Sequence, residues 1–365
     1  MLFSFLTYEL LLFFALILPA GKLINSENSE FIRYDTGGFK WNTRIAFILV
    51  LIVFIAGIRE VDEGIDYINY LRFYNYILEH GEIGKHFKAN EIGWDYFNLT
   101  FGKLGIPAGV FFGLVSGVTW FFFIKGSYRF QFLLPLMFFF VMAGGFFFWT
   151  FSGLRQSISI MIFFYAIKFL AEKDPLRYVI WISIASLFHI SVIIMLPLYF
   201  IKDVKFNRRL VAILYIASIF LAGNSWFLSK MGDLIILISS QVDLLSMYAR
   251  HYLEGDMFTE NKDRTSSGLG ILVRIATTGY IIYKSDYVLK KQPKLRIYYI
   301  LFFIGAILSN VFLAVEAIGR ILHYFNFLFP IVIASTIYYS TDKYDRVVNV
   351  LIIGVYFIMF NKMIL

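Results

Sequence analysis

Long apolar runs separated by short polar connections dominate the hydrophobic pattern of this chain. A helix of about 20 apolar residues can cross the hydrocarbon core of a bilayer. The pattern predicts spans near 2–20, 44–58, 106–124, 132–150, 157–171, 178–200, 210–228, 268–283, 297–315, 321–340 and 347–362. We therefore predict an all-α polytopic membrane protein with about 10–12 transmembrane helices, built as a single membrane-embedded domain over residues 1–365.

Composition supports this class and narrows the chemistry. Of the 365 residues, 59% are hydrophobic and 16% are charged, which is far from a soluble globular protein. The chain has no cysteine, so disulfides and thiol chemistry are excluded. It has no Walker A, GxGxxG or HExxH motif, so we expect neither a nucleotide cofactor nor a metal, and no nucleic-acid partner.

Two long polar stretches, 59–105 and 229–267, interrupt the apolar runs. If the uncharged N-terminus lies outside, the first is an outer-face loop in which a helix is expected, and the second is an outer-face loop provided that 178–200 does not cross the membrane. A single crossing by 178–200 would then place the basic loops "KDVKFNRR" and "KSDYVLKKQPKLR" outside, against the positive-inside rule.

The conflict disappears if 178–200 is a re-entrant segment that turns near "FHIS" and returns to the same side. Most of the 33 lysines and arginines are then cytoplasmic. Irregular backbone at membrane depth is tolerated where it is buried in protein or lines a wet cavity. The rival solution is an additional crossing by 233–249, which we interpret instead as an amphipathic interfacial helix.

This topology gathers polar residues at the outer ends of the predicted spans and so predicts an outward-facing polar cavity. The set consists of Arg59, Asp62, Glu63, Asp66, Arg155, Gln156, His189, Arg274, Glu316, Arg320 and His323. Ionisable residues at membrane depth generally mark functional sites.

The segment "GIREVDEGIDYINYLRFYNYI" carries the densest group of these charges. If 57–77 is helical, Arg59, Asp62, Glu63 and Asp66 share one face, and Tyr67, Tyr70 and Tyr74 lie on another. The tyrosines would pack against protein or stack on sugar rings. The alternative is an interfacial helix with tyrosines at headgroup level.

Arg155 follows an apolar run and begins the next predicted helix. It could snorkel to headgroup phosphates, but a helix start disfavours a cation and, together with a guanidinium, attracts an anion such as phosphate. His189, in another apolar run, is either a core histidine bonded to a neighbour or a proton-transfer group. Arg320, His323 and Tyr324 share one helical face, where Glu316 could pair with Arg320.

Five segments, in this order, resemble EpsG-like proteins, which are Wzy-type membrane polymerases of bacterial exopolysaccharide, capsule and O-antigen (lipopolysaccharide). They are "GIREVDEGIDYINYLRFY", "EIGWDYFNLTFGKL", "LRQSISIMIFFYAIKFL", "FHISVIIMLPLYF" and "GRILHYF". The resemblance runs from about residue 50 to residue 330, and the Leu-Arg-Gln and Phe-His-Ile-Ser segments are its strongest parts.

The resemblance implies a metal-independent glycosyltransferase of the bacterial cytoplasmic (inner) membrane that needs no cofactor. It would move a growing glycan from undecaprenyl diphosphate to the next lipid-linked repeat unit at the periplasmic or outer face. Partners would be the undecaprenyl diphosphate-linked oligosaccharides, membrane lipids and a chain-length regulator protein. Positions expected in the family's polar cavity are matched by Arg59, Asp66, Arg155, Gln156, His189, Arg320 and Tyr324.

Within this hypothesis, Arg155 and Arg320 would hold the donor diphosphate. Arg59 would assist them or hold Asp66. His189 would be the base that takes the proton from the acceptor hydroxyl, and Asp66 is the second candidate for this role. Aromatic residues of 67–76 and 94–97 would line the sugar path. The alternatives are an O-antigen ligase, a flippase or transporter of lipid-linked glycan, and a multi-span acyltransferase.

Overall fold

The computed structural model describes residues 2–20, 43–59, 66–84, 91–222, 230, 268–313 and 316–364. Within these ranges the chain forms helices and turns, and no strand. The α-helices are α1 Leu2–Ala20, α2 Thr43–Ile58, α3 Tyr67–His80, α4 Ile92–Lys103, α5 Ala108–Gly126, α6 Leu134–Ala143, α7 Phe146–Ser152, α8 Leu154–Glu172, α9 Pro175–Ser186, α10 Arg208–Leu221, α11 Gly268–Lys291, α12 Arg296–Val311, α13 Glu316–Asn326, α14 Phe329–Tyr339 and α15 Lys343–Ile364. The 3₁₀ helices are Tyr128–Leu133, Ile190–Asp203 and Pro293–Leu295.

Several of these helices are long and apolar enough to cross a membrane. Within the described part of the chain they are Ala108–Gly126, Leu154–Glu172, Pro293–Val311, Ile318–Tyr339 and Lys343–Ile364, and a bent pair before α8 would make a sixth. The apolar parts of α1 and α2 are shorter. The predicted all-α polytopic membrane class is confirmed. The predicted interfacial helix at 233–249 lies outside the described residues.

The predicted span 132–150 is broken. The segment Tyr128–Ala143 is followed by Phe146–Ser152 at an angle of 59°. The break contains Gly145, whose φ of 77° lies in the left-handed region that side chains other than glycine rarely adopt. Glycine therefore permits the bend, which directs the chain into the start of α8.

Glycines also let α2 and α5 pack backbone against backbone. A Cβ on Gly109 would lie 2.7 Å from the carbonyl oxygen of Gly57, and a Cβ on Gly113 would lie 2.7 Å from that of Val53. Both distances are shorter than real Cβ contacts. Small residues at four-residue spacing are the usual means of close helix packing in membranes.

The predicted turn near "FHIS" is present as a hairpin. The helix α9 runs to Ser186, and after a short turn the 3₁₀ helix Ile190–Asp203 runs back along it. The Tyr178 hydroxyl donates to the Met195 carbonyl at 2.6 Å. At the open end, Lys173 Nζ lies 2.6 Å from Asp203 Oδ1. The two ends of the hairpin therefore lie close together, as a re-entrant segment requires, and its course relative to the membrane stays a prediction.

The chain divides into two compact units, residues 1–203 with 333–365, and residues 204–332. The first contains α1 to α9, the hairpin and α15. Its core is rich in phenylalanine and includes most of α8. The second contains α10 to α13.

Candidate functional site

Glu91 is the centre of the best-defined polar cluster in the first unit. It immediately precedes α4, and its side chain makes no capping hydrogen bond to that helix. The side chain is 6% exposed. A carboxylate so thoroughly buried requires charged or hydrogen-bonding partners.

Those partners come from two different segments. Arg155 Nη1 donates to Glu91 Oε2 at 2.5 Å, and His189 Nδ1 lies 2.5 Å from Glu91 Oε1. The Ile190 N–H approaches the same Oε1 at 3.4 Å. Since an ionised carboxylate only accepts hydrogen bonds, Nδ1 of His189 is the donor. A neutral imidazole in this tautomer keeps Nε2 as a proton acceptor.

Backbone contacts hold the three segments together. The Gly93 N–H at the start of α4 donates to the Leu187 carbonyl at the hairpin tip, at 2.8 Å. A Cβ on Gly93 would lie 2.8 Å from that same oxygen, so this approach requires glycine. From α8, the Ser159 hydroxyl donates to the His189 carbonyl at 3.4 Å. The hairpin tip is thereby fixed against the beginnings of α4 and α8.

Tyr70 of α3 covers Arg155. The central carbon of the guanidinium lies 5.8 Å from the Tyr70 ring centroid. Burial raises the pKa of the Tyr70 phenol, as do the nearby carboxylates of Asp66 and Glu91, while Arg155 opposes the shift. Tyr70 therefore stays a neutral hydroxyl. The Arg155 side chain is 29% exposed, and a guanidinium has five N–H donors, so Arg155 can also bind an anion.

Arg59 lies against the same helix. Its guanidinium carbon is 4.0 Å from the Tyr67 ring centroid and 4.7 Å from that of Phe151. Since Tyr67 and Tyr70 are neighbours on one face of α3, Arg59 and Arg155 contact positions one turn apart. The structure thus brings together four sequence-predicted residues, Arg59, Tyr67, Arg155 and His189.

Comparison of the sequence with known protein families identifies the family of this chain. A family model described as EpsG family matches residues 43–365, which include every residue of the cluster. The chain belongs to the EpsG family. No curated protein and no solved structure matched it. Membership confirms the resemblance seen in the sequence and supports a polysaccharide polymerase-type, glycosyltransferase-like role.

In this EpsG-family chain, the continuous helix hypothesised over 57–77 is wrong. The helix α2 ends at Ile58 and α3 begins at Tyr67, so Arg59 is not on the helix that carries the tyrosines. Asp62 and Glu63 lie outside the described residues. Asp66 directly precedes α3, and its backbone carbonyl accepts from the Asn69 and Tyr70 N–H groups.

One further predicted position of the EpsG-family chain can be located. Gln156 is buried on α8, next to Arg155. Within the described residues, no group of three or more His, Cys, Asp or Glu side chains is arranged to hold a metal ion.

The remaining predicted residues belong to the second unit. Arg320 is exposed, His323 is half-buried and Tyr324 is buried, all on α13 as predicted. Glu316 is the first residue of that helix, and its side chain is not among those described, so its pairing with Arg320 stays a prediction. Arg274 of α11 donates to Asn310 Oδ1 at 3.0 Å, and Asn310 donates in turn to the Ser218 hydroxyl.

Sequence reasoning missed Glu91. It lies in the polar stretch that was interpreted as an outer loop, and the acid at helical spacing from it, Asp95 four residues later, was not considered with it. The available signal was a single acid before the amphipathic segment "IGWDYF", one of the segments that resemble the family.

Proposed function

We propose that this EpsG-family protein is a polysaccharide polymerase that transfers a growing glycan from undecaprenyl diphosphate to the next lipid-linked repeat unit. One observation carries the proposal: the buried carboxylate of Glu91 holds an anion-binding group, Arg155, and a proton acceptor, His189, side by side. Such a transfer needs both groups at one place. The leaving diphosphate gains charge while the attacking hydroxyl loses a proton.

The proposed reaction is a substitution at the anomeric carbon of the donor glycan. The acceptor hydroxyl oxygen forms a bond to that carbon, and the bond from the carbon to the diphosphate oxygen breaks. His189 Nε2 takes the hydroxyl proton while Nδ1–H stays bonded to Glu91. The electron pair of the broken bond leaves on the lipid diphosphate, whose added charge Arg155 stabilises with its remaining N–H groups.

Glu91 is a positioning residue in this scheme. Its carboxylate fixes the imidazole tautomer and orients the guanidinium through two 2.5 Å contacts. It also stabilises an imidazolium when His189 takes up the proton, in the same way that a buried acid supports a catalytic histidine in hydrolases. Asp66, half-buried one turn before Tyr70, is the second candidate base.

The outer membrane face is the proposed side of reaction. Arg155 is at the start of α8, whereas Lys168 lies near its end, about 20 Å away along the helix axis. The end near Lys168 also carries Lys125, Arg129 and Arg177, and basic residues are enriched at the cytoplasmic side. The opposite end, with Arg155, then faces outwards, which supports a multi-pass protein of the bacterial inner membrane that acts on exported substrates.

Arg320, His323, Tyr324 and Arg274 belong to the proposal as substrate-binding candidates of the second unit. Aromatic residues of α3 and α4, such as Tyr96, which is 65% exposed, would line the sugar path. Donor and acceptor would both be undecaprenyl diphosphate-linked oligosaccharides, and a chain-length regulator is a proposed protein partner.

The test is to give the purified protein lipid-linked repeat units as the only substrate, in sealed vesicles with the units in the outer leaflet. Lengthened lipid-linked glycan, resolved by gel or mass spectrometry, is expected. Repeat units that stay single but are consumed when lipid A core is added would indicate a ligase. Units that change leaflet without growing would indicate a flippase. Either result overturns the proposal.

A further inference from the structure

A second cluster of charges lies at the opposite end of α8 from Glu91. We define this basic cluster as Lys125, Arg129, Lys168 and Arg177, from the ends of α5 and α8 and the start of α9. All four residues are in the first unit. None of them was a candidate for the glycan transfer.

The arginines of the basic cluster have carboxylate partners. Arg129 forms an ion pair with Glu172, and Arg177 Nε lies 3.3 Å from Asp174 Oδ2. Nearby, Asp203 pairs with Lys173. Each of these carboxylates therefore has an ion-pair partner other than Lys125 and Lys168, although Glu172 also attracts Lys168 from one turn away.

The two lysines converge on one aromatic ring. Lys168 Nζ is 4.0 Å and Lys125 Nζ is 5.0 Å from the centroid of Tyr165, so no more than the sum of these distances separates the two ammonium groups. Lys168 also donates to the Tyr165 hydroxyl at 2.8 Å. Cation–π contacts stabilise each ammonium group, but they do not remove the electrostatic repulsion between the two like charges.

The simplest structural account is that these lysines compensate the negative C-terminal ends of α5 and α8 or snorkel to the membrane surface. That account needs one cation at each helix end and gives no reason for two half-buried ammonium groups to share one ring. An anion bound between them would remove the repulsion. Further aromatic rings lie around the ammonium groups, with Trp181 and Phe121 near Lys125, and Phe169 and Tyr128 near Lys168.

We propose that the basic cluster binds the phosphate of an anionic phospholipid on the cytoplasmic side, with Lys125 and Lys168 as its two main contacts. A lipid is favoured over a free phosphate because aromatic side chains surround both ammonium groups at the end of membrane-crossing helices, where headgroups and glycerol meet tryptophan and tyrosine. Clusters of basic residues at this level of the membrane recognise anionic headgroups. The site is separate from the Glu91 cluster and does not depend on the polymerase proposal.

The experiment is a lipid titration of the purified protein in detergent. Dioleoyl phosphatidylglycerol or dioleoyl phosphatidylcholine is added, and bound lipid is counted by native mass spectrometry. The wild type should bind phosphatidylglycerol preferentially. The pair Lys125→Gln with Lys168→Gln should bind it about 25-fold more weakly, since each lysine near an anionic lipid contributes about fivefold. Binding of phosphatidylcholine should be unchanged.

The matched control is Lys290→Gln with Lys291→Gln, which removes the same charge from two exposed lysines at the end of α11. It should keep the wild-type preference, as should Lys125→Arg with Lys168→Arg. If the double glutamine variant does not fold, Lys125→Gln alone must weaken the binding of phosphatidylglycerol about fivefold. Equal binding of both lipids, an unchanged preference in the glutamine variants, or displacement of phosphatidylglycerol by millimolar inorganic phosphate would overturn the proposal.

Discussion

Replacing Glu91 with glutamine removes the negative charge that joins Arg155 to His189 while keeping the size of the side chain. Both partners are donors, and both contact the carboxylate at 2.5 Å. A glutamine amide has one oxygen and one NH₂ group, so in either orientation an N–H donor faces another donor. The substitution therefore either breaks one of the two bonds or shifts His189 to the tautomer in which Nε2 carries the proton, and in both cases the guanidinium loses its counter-ion.

The structure sets the scale of this loss. Removing one partner of a buried ion pair costs about 3–5 kcal/mol. Arg155 and His189 are 29% and 26% exposed, and solvent screens part of the uncompensated charge. We expect the free energy of unfolding to fall by about 2 kcal/mol. Loss of the histidine tautomer and of the oriented arginine should lower the rate of glycan extension by about 10²- to 10⁴-fold.

The assay compares glycan extension from lipid-linked repeat units and thermal unfolding of the same preparations. The control is Glu79→Gln, an exposed glutamate of α3, which should leave both quantities unchanged. A cycle with His189→Gln should be far from additive if Glu91 acts through the histidine. Wild-type extension by a folded Glu91→Gln protein would refute the reasoning.

Three further predictions concern other parts of the molecule. His189→Gln should lower extension by about 10²-fold or more with the protein level unchanged, and full activity in that variant would remove His189 as the base. Gly113→Ala should destabilise the protein by about 1–3 kcal/mol in thermal unfolding, because the added Cβ would meet the Val53 backbone. The control Gly354→Ala places its Cβ in open space and should leave stability unchanged. Equal effects of the two substitutions would contradict the close packing of α2 on α5. Single cysteines at Lys173 and Asp203, each 59% exposed in a chain with no other cysteine, should react with an impermeant maleimide from the same membrane side, and labelling from opposite sides would show that the hairpin crosses.

Much of the helical framework was predictable because apolar runs determine both helix length and membrane depth. The span predicted over 157–171 corresponds to the helix Leu154–Glu172, and the turn predicted near "FHIS" corresponds to the hairpin tip that carries His189. The hairpin was accessible to prediction because the distribution of lysine and arginine constrains which side each loop occupies.

The centre of the site was not predictable in the same way. Polar loops have no periodicity, so nothing in the pattern shows that the chain before α4 returns to the start of α8 and places Glu91 between Arg155 and His189. The pairing depends on tertiary contacts, such as the close approach of Gly93 to Leu187, that hydropathy does not encode. For the same reason the predicted polar set appeared as one group in sequence, while in the structure it is distributed over two units.

The central claim is that Arg155, held by Glu91, is needed for glycan chain growth. The most direct measurement is the chain-length distribution of surface glycan from a strain that lacks this protein and is complemented with Arg155→Ala at wild-type protein level. The account predicts single repeat units and no long chains, as in the uncomplemented strain. A wild-type distribution of chain lengths would contradict it.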